Sequence, residues 1–256
     1  MLSPPRRPRP LSTEAPARAA ERRVYRSLTS TMDEAARLVR EGERGPLWLL
    51  ALEQTSARGR QGRPWAMPPG NFAATLIDAP EGGPMEKAQR SFVASLALRD
   101  ALAEVAPQAH LSLKWPNDVL LSEGKVAGIL LENFGPALAI GIGVNLAAAP
   151  GQGDLPEGAV RPVSLLQETG VAVSPEAFLD RLAPAYARWD ARLVAEGFPS
   201  IRDAWLAAAA RLGQEIRART PKGETRGRFD GIDARGSLML TTPAGPVTLP
   251  AADVYF

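Results

Sequence analysis

The chain has 256 residues, 45% of them hydrophobic and 23% charged, which is enough apolar material for a sizeable core. A formal net charge of +2, with an isoelectric point near 9.2, is too weak and too mixed for a dedicated nucleic-acid coat. The absence of cysteine removes disulfides, thiol catalysis and thiolate-bound zinc, and the one histidine, His110, cannot supply a multi-histidine metal centre.

Residues 1–20 are rich in Pro, Arg and Ala without periodicity and read as a flexible tail. MLSPPRRPRP lacks the apolar segment of a secretory signal, and its prolines oppose an amphipathic transit helix. No apolar run reaches the ~18 residues of a membrane span, so a cytoplasmic protein is expected. The tail leaves no room ahead of the first motif for a helix-turn-helix module. Ser30-Thr31 caps a short helix running to about Val39 and stopping at Gly42. Leu47 to Leu52 (LWLLAL) is a nearly continuous apolar run, as in a strand covered on both faces. Asn71 to Ile77 is a second strand, and Glu86 to Val105 has the helical spacing of Phe92, Leu96, Ala97 and Leu102. Strands follow at Leu111–Trp115, Val119–Leu121, Val126–Glu132 and Leu138–Asn145, the second and third joined as a hairpin. Pro175 to about Glu196 is a helix that Pro184 should kink or split, and Ser200 to Leu212 is another. EIRART, TRGRFDGI, SLMLTT and PVTLP then alternate between turn signals, as in a small β-barrel. The expected divisions are a 1–20 tail, a 21–210 main domain and a 211–256 barrel.

Five stretches stand out from this frame. Thr55 to Trp65 (TSARGRQGRPW) sets three arginines and two glycines within Arg58–Arg63 and ends on a tryptophan. Arginine runs are more often solvated faces, but such runs seldom alternate with Gly between two strands. Arg forks meet oxyanions bidentately, and Gly lets backbone approach them, so this loop suits a polyanion. Ser30-Thr31, Lys114-Trp115-Pro116-Asn117-Asp118, Lys125-Val126-Ala127-Gly128-Ile129-Leu130-Leu131-Glu132 and Gly141-Ile142-Gly143-Val144-Asn145 complete the set. Taken singly, the second could be a strand end with a turn, and the last could be close backbone packing.

In this order, over residues 25–146, these stretches resemble the biotin–protein ligases. That family carries a Gly-Arg-Gly-Arg-x-Gly-Arg-x-Trp loop, Lys-Trp-Pro-Asn-Asp, Lys-x-x-Gly-Ile-Leu-x-Glu and Gly-x-Gly-x-Asn. The resemblance implies an α+β fold: a mixed sheet with flanking helices, like the catalytic domain of class II aminoacyl-tRNA synthetases, plus a C-terminal SH3-like barrel. It also implies a two-step ligation, in which biotin and ATP give biotinyl-5′-AMP and a carrier lysine then takes the biotinyl group. Catalytic roles fall on Arg60, Lys114, Asp118 and Lys125, and biotin contacts on Ser30, Thr31, Met32, Gln54, Arg58, Gly59, Arg60 and Lys125. Nucleotide contacts fall on Arg58, Arg60, Trp65, Lys114, Asn117 and Asn145. Asp118 is placed near the metal–phosphate end or near the carrier's lysine. ATP with Mg2+ and biotin are expected as substrates, with no protein-bound metal. The expected partner is a biotin carboxyl carrier protein of acetyl-CoA carboxylase or a related carboxylase; no nucleic acid or membrane is expected, and a homodimer is compatible. Ala57 stands where the family has its first loop glycine; a positive φ there would cost about 1 kcal/mol. Two competing readings are a lipoate or octanoate ligase of the same superfamily, which carries His-Asp in place of the arginine loop, and an Arg-rich nucleic-acid-binding protein.

Overall fold

The computed structural model describes residues 20–151 and 160–256, so the tail expectation lies almost wholly outside the described residues. β1 (Glu21–Tyr25) opens the chain as an edge strand parallel to β2 (Leu47–Ala51). Between them runs α1 (Thr31–Arg40), capped by Ser30, whose hydroxyl accepts the Met32 N–H at 3.2 Å. β3 (Phe72–Asp78), β4 (Leu111–Lys114), β5 (Asp118–Leu121), β6 (Gly124–Phe134) and β7 (Ala137–Val144) complete a seven-stranded sheet, in the order β1-β2-β3-β7-β6-β5-β4. Every pairing after β1–β2 is antiparallel.

The apolar run at β2 is buried on both faces, and its period of two divides the molecule. Leu47 and Leu49 meet Met32, Ala35 and Leu38 of α1. Trp48 and Leu50 point the other way, into a larger core with α3 (Arg90–Val105), α5 (Pro175–Glu196) and α6 (Phe198–Leu206). Fully burying each such side chain contributes about 1.5–3 kcal/mol. The helix expected from Glu86 is two pieces, α2 (Pro84–Ala88) and α3, meeting at Gln89. α4 (Leu165–Thr169) is a short turn of helix before α5.

Pro184 does not split α5, which runs unbroken for 22 residues. Pro184 is on the exposed face while Leu182, Ala185 and Tyr186 are buried, so water can reach the carbonyl it deprives of a partner. α6 ends at Leu206, short of the expected Leu212. There the backbone leaves the helix to bond β4: Leu113 N–H donates to Ala208 O and Ala210 N–H to Leu113 O, both at 2.8 Å.

The C-terminal part is an antiparallel, SH3-like domain of β8 (Glu215–Thr220), β9 (Gly223–Ile232), β10 (Leu238–Thr242), β11 (Gly245–Leu249) and β12 (Asp253–Tyr255), in the order β11-β10-β9-β8-β12. Its Ile216, Phe229, Leu238 and Leu240 join the same core as α3 and α6. The Trp115 indole N–H donates to Gly236 O at 2.9 Å, tying the two parts together.

Candidate active site

A cavity of about 500 Å³ opens between the start of α1, the arginine loop, β4 to β7 and β12. On one wall, Thr31 donates its N–H and hydroxyl to Gln54 Oε1 at 2.7 and 3.1 Å. The buried Thr75 hydroxyl in turn donates to Thr31 Oγ1 at 2.8 Å. Ser30 and Met32 flank this chain of bonds, and Met32 is 3% exposed with its sulfur packed over Gly141. A β-carbon at Gly141 would lie 2.9 Å from that sulfur, so Met32 takes its place only because residue 141 has no side chain.

The arginine loop is a folded hairpin. Arg58 and Pro64 form an antiparallel bridge, Gly59 N–H donates to Arg63 O at 2.8 Å, and Trp65 N–H donates to Ala57 O at 3.0 Å. A single 3₁₀ turn, Arg60–Gly62, forms its tip. The left-handed positions are Gln61 (φ 57°) and Gly62 (φ 71°), not Ala57, so the cost expected for alanine there is not incurred.

Each loop cation is held by protein oxygens. Arg58 donates to Asp33 Oδ1 in the first turn of α1 and to Glu132 Oε1 at 3.3 Å. The Asp33 hydrogen bond is the chief influence raising the Arg58 guanidinium above its already basic range. Arg60 donates to Asn117 Oδ1 at 3.3 Å and lies 3.8 Å from Asp253 Oδ1. Arg63 pairs with the second oxygen of Asp253. Trp65 lies flat across Gly128 and Gly143, where added β-carbons would come within 3.2 and 2.6 Å of its ring. The glycines of both strand motifs thus make room for an indole, and Lys125 Nζ lies 5.5 Å from that ring's centroid.

Opposite the loop sits a Lys–Asp–Lys cluster. The β4–β5 register sets Lys114 directly across from Asp118. The β5–β6 register begins Asp118↔Gly128, Val119↔Ala127 and then slips, pairing Leu120 with Lys125. Side chains alternate between faces, so this one-residue bulge turns Lys125 onto the face of Asp118. Lys125 Nζ is 2.6 Å from Asp118 Oδ1, and Lys114 Nζ is 3.5 Å from Oδ2. Burial would raise the Asp118 carboxyl, but Lys125 and Lys114 together hold it below the ordinary carboxylate range. Burial pushes the Lys114 amine down, with Asp118 opposing. Asp118 thus lies between two ammonium groups. Among the described residues no group of three or more His, Cys, Asp or Glu is placed to hold a metal ion.

All the residues singled out in the sequence line this cavity except Asn145. Asn145 is 2% exposed, donates to Val163 O at 3.0 Å and accepts from Asn71 at 3.5 Å; it borders a smaller recess of about 160 Å³. Its amide is used to fix the chain after β7. Asp33, Glu132 and Asp253 were not singled out for the site, and Asp253 comes from the C-terminal domain. His110 is exposed, at the entry to β4.

Fold and site together point to one enzyme class, a ligase, and comparison with known proteins bears this out. Residues 24–146 match the Biotin/lipoate A/B protein ligase family, and residues 212–256 match the Biotin protein ligase C terminal domain. The chain is 57% identical over 233 residues to a biotin–[acetyl-CoA-carboxylase] ligase of Paracoccus denitrificans, covering 89% of this chain and 97% of that one. It is 29% identical over 235 residues to a bifunctional ligase/repressor of Bacillus subtilis, covering 89% of this chain and 71% of that one. Among solved structures it superimposes on biotin protein ligase from Aquifex aeolicus in complex with biotin and ATP, with a TM-score of 0.77 at 25% identity, covering 91% of this chain and 97% of that one. The chain belongs to the biotin/lipoate A/B protein ligase family, on its biotin ligase branch.

Proposed function

We infer that this protein is an ATP-dependent ligase that makes biotinyl-5′-AMP and passes the biotinyl group to a lysine of a biotin carboxyl carrier domain, that of acetyl-CoA carboxylase in the first place. The observation that carries this is the convergence of Arg58, Arg60, Lys114 and Lys125 on one cavity whose far wall is the Ser30–Thr31–Gln54 hydrogen-bonding group. In the first step a carboxylate oxygen of biotin attacks the α-phosphorus of ATP and pyrophosphate leaves. Two anions repel each other on that path, and fixed cations offset the repulsion without reorganising.

Position supports the following roles. Gln54 and Thr31, already linked by hydrogen bonds, suit the polar ureido ring, while Met32 supplies an apolar neighbour. Lys125 is placed for the carboxylate that becomes the anhydride. Arg58, Arg60 and Lys114 are placed for the phosphates. Trp65 closes the side of the cavity against water, which would hydrolyse an acyl phosphate. Asn117 holds Arg60, and Asn145, beside Trp65 and Lys125 in the smaller recess, is the further residue on the nucleotide's side. Mg2+ would come as the counter-ion of ATP. No helix among the described residues is long and apolar enough to cross a membrane; we place the reaction in the cytoplasm, where ATP and carrier meet.

The test is mass spectrometry of a carboxyl carrier fragment incubated with the protein, ATP, Mg2+ and either biotin or lipoate. One biotinyl group on one lysine is expected. Pyrophosphate release with lipoate alone would place the chain on the lipoate branch instead.

A further inference from the structure

The reading above puts a reactive acyl-adenylate into a cavity that already contains two primary amines, Lys114 Nζ and Lys125 Nζ. An amine is the nucleophile the second step needs, so the protein must keep its own from competing with the carrier's. The chain has only two other lysines. Lys87 donates to Gly135 O and Pro136 O at 2.8 and 3.0 Å, and Lys222 sits in the exposed β8–β9 turn.

Asp118 lies between the two cavity amines, 2.6 Å from one and 3.5 Å from the other, with its side chain 11% exposed. The Lys114 side chain is 10% exposed, and its burial favours the neutral, nucleophilic amine. Lys114 is reached by no other carboxylate within 4 Å among the described residues. We propose that Asp118 guards the enzyme against its own intermediate: it holds the two amines as ion-paired ammonium groups, so that the acyl group passes to the carrier's lysine and not to Lys114. An ammonium has no lone pair to attack with. Without the carboxylate, the Lys114 nitrogen attacks the acyl carbon of biotinyl-AMP, a C–N bond forms and the C–O bond to phosphate breaks. AMP leaves with that electron pair, and the amine proton goes to solvent.

This rests on the ligase reading, and the test separates the two. Chemically prepared biotinyl-5′-AMP is added, without carrier, to the unmutated protein, Asp118→Asn and Asp118→Glu; supplying the adenylate bypasses any defect in the first step. Intact mass and peptide mapping then locate label among the lysines. The Asn variant should label on Lys114 at least about tenfold faster than the unmutated chain. The Glu variant should be protected, and Lys114→Arg in the Asn background should remove the label. Equal rates in the Asn variant and the unmutated chain, or label confined to Lys222, overturn the proposal. The unmutated chain gives a second reading that needs no variant to fold. From about pH 7 to about pH 10, label on Lys114 should emerge only at the alkaline end, and label at neutral pH overturns the guard role. Failure of the ligase reading looks different: the unmutated protein would release no pyrophosphate with biotin and would not retain the adenylate.

Discussion

Replacing Asp118 by Asn keeps the volume and removes one charge from between two others. At 2.6 and 3.5 Å, and an effective dielectric constant near 20, the lost attractions are about 6 and about 5 kcal/mol. Most of that sum is offset by the cost of desolvating Asp118 and Lys114, so it is not a net figure. Breaking a buried pair from one side costs about 3–5 kcal/mol. Lys125, 29% exposed, can turn toward water, which favours the lower end. For a chain of this size, about 3 kcal/mol corresponds to a fall in Tm of roughly 6–12 °C, read by thermal unfolding followed by circular dichroism at neutral pH. The sign with pH is fixed by the Asp118 carboxyl lying below its ordinary range in the fold. Its stabilisation is present above the unfolded-state value, about pH 4, and disappears as pH falls through the lower folded-state value. The gap between the two proteins should therefore be full at neutral pH and should close only in acid. A Tm difference under about 2 °C at neutral pH, or one unchanged in strong acid, would refute the reasoning.

Gly143→Ala would drive a β-carbon to 2.6 Å from the Trp65 ring, displacing the indole by about 1 Å, and should weaken biotin binding about tenfold by calorimetry. Gly59→Ala is the contrast: its φ is −102° and the nearest atom to an added β-carbon is 3.7 Å away, so Tm should move by no more than about 2 °C despite the loop's motif. Asp253→Asn should raise KM for ATP in pyrophosphate release, because Arg60 and Arg63 lose the carboxylate they share, while stability falls by under about 1 kcal/mol. Asp78→Asn should raise Tm at neutral pH and leave it unchanged near pH 4. Burial lifts the Asp78 carboxyl, so the native protein loses stability as pH rises through that raised value, and the amide escapes this.

What sequence could convey about this fold divides along physical lines. The doubly buried β2 and the Phe92–Leu102 spacing of α3 were legible because burial imposes a period. β1 was not, since three of its five residues are Glu21, Arg22 and Arg23 and it pairs along only one edge. The Ser200–Leu212 helix was overdrawn because an alanine-rich segment favours helix until β4 claims its backbone. In the site, residues of unusual type at fixed spacing stood out, as with the arginine loop and Lys114 to Asp118. The carboxylates that hold those cations did not. Asp33 and Asp253 lie 25 and 190 residues from their arginines in stretches of ordinary composition, and Glu132, 74 residues away, closes a motif that gives no sign of its arginine partner. Asn145 carries a second duty that its motif did not reveal: its amide also holds Val163 O, fixing the chain after β7.

A bulge that absorbs one extra residue in β6, Val126, keeps the Lys125 amine on the cavity side of the sheet. The tip of that hairpin, Ser122-Glu123, is exposed and in a left-handed conformation, and by its surface position alone would tolerate a change of length. The stretch from Gly124 to Gly128 is more constrained: Val126 and Ala127 both face the large core, and the same residues in regular pairing, without the bulge, would turn the Lys125 ammonium to that apolar side. Lys125 and Gly128 stand an odd number of residues apart and still share one face, so the bulge, and not the spacing alone, is what keeps the amine at the site.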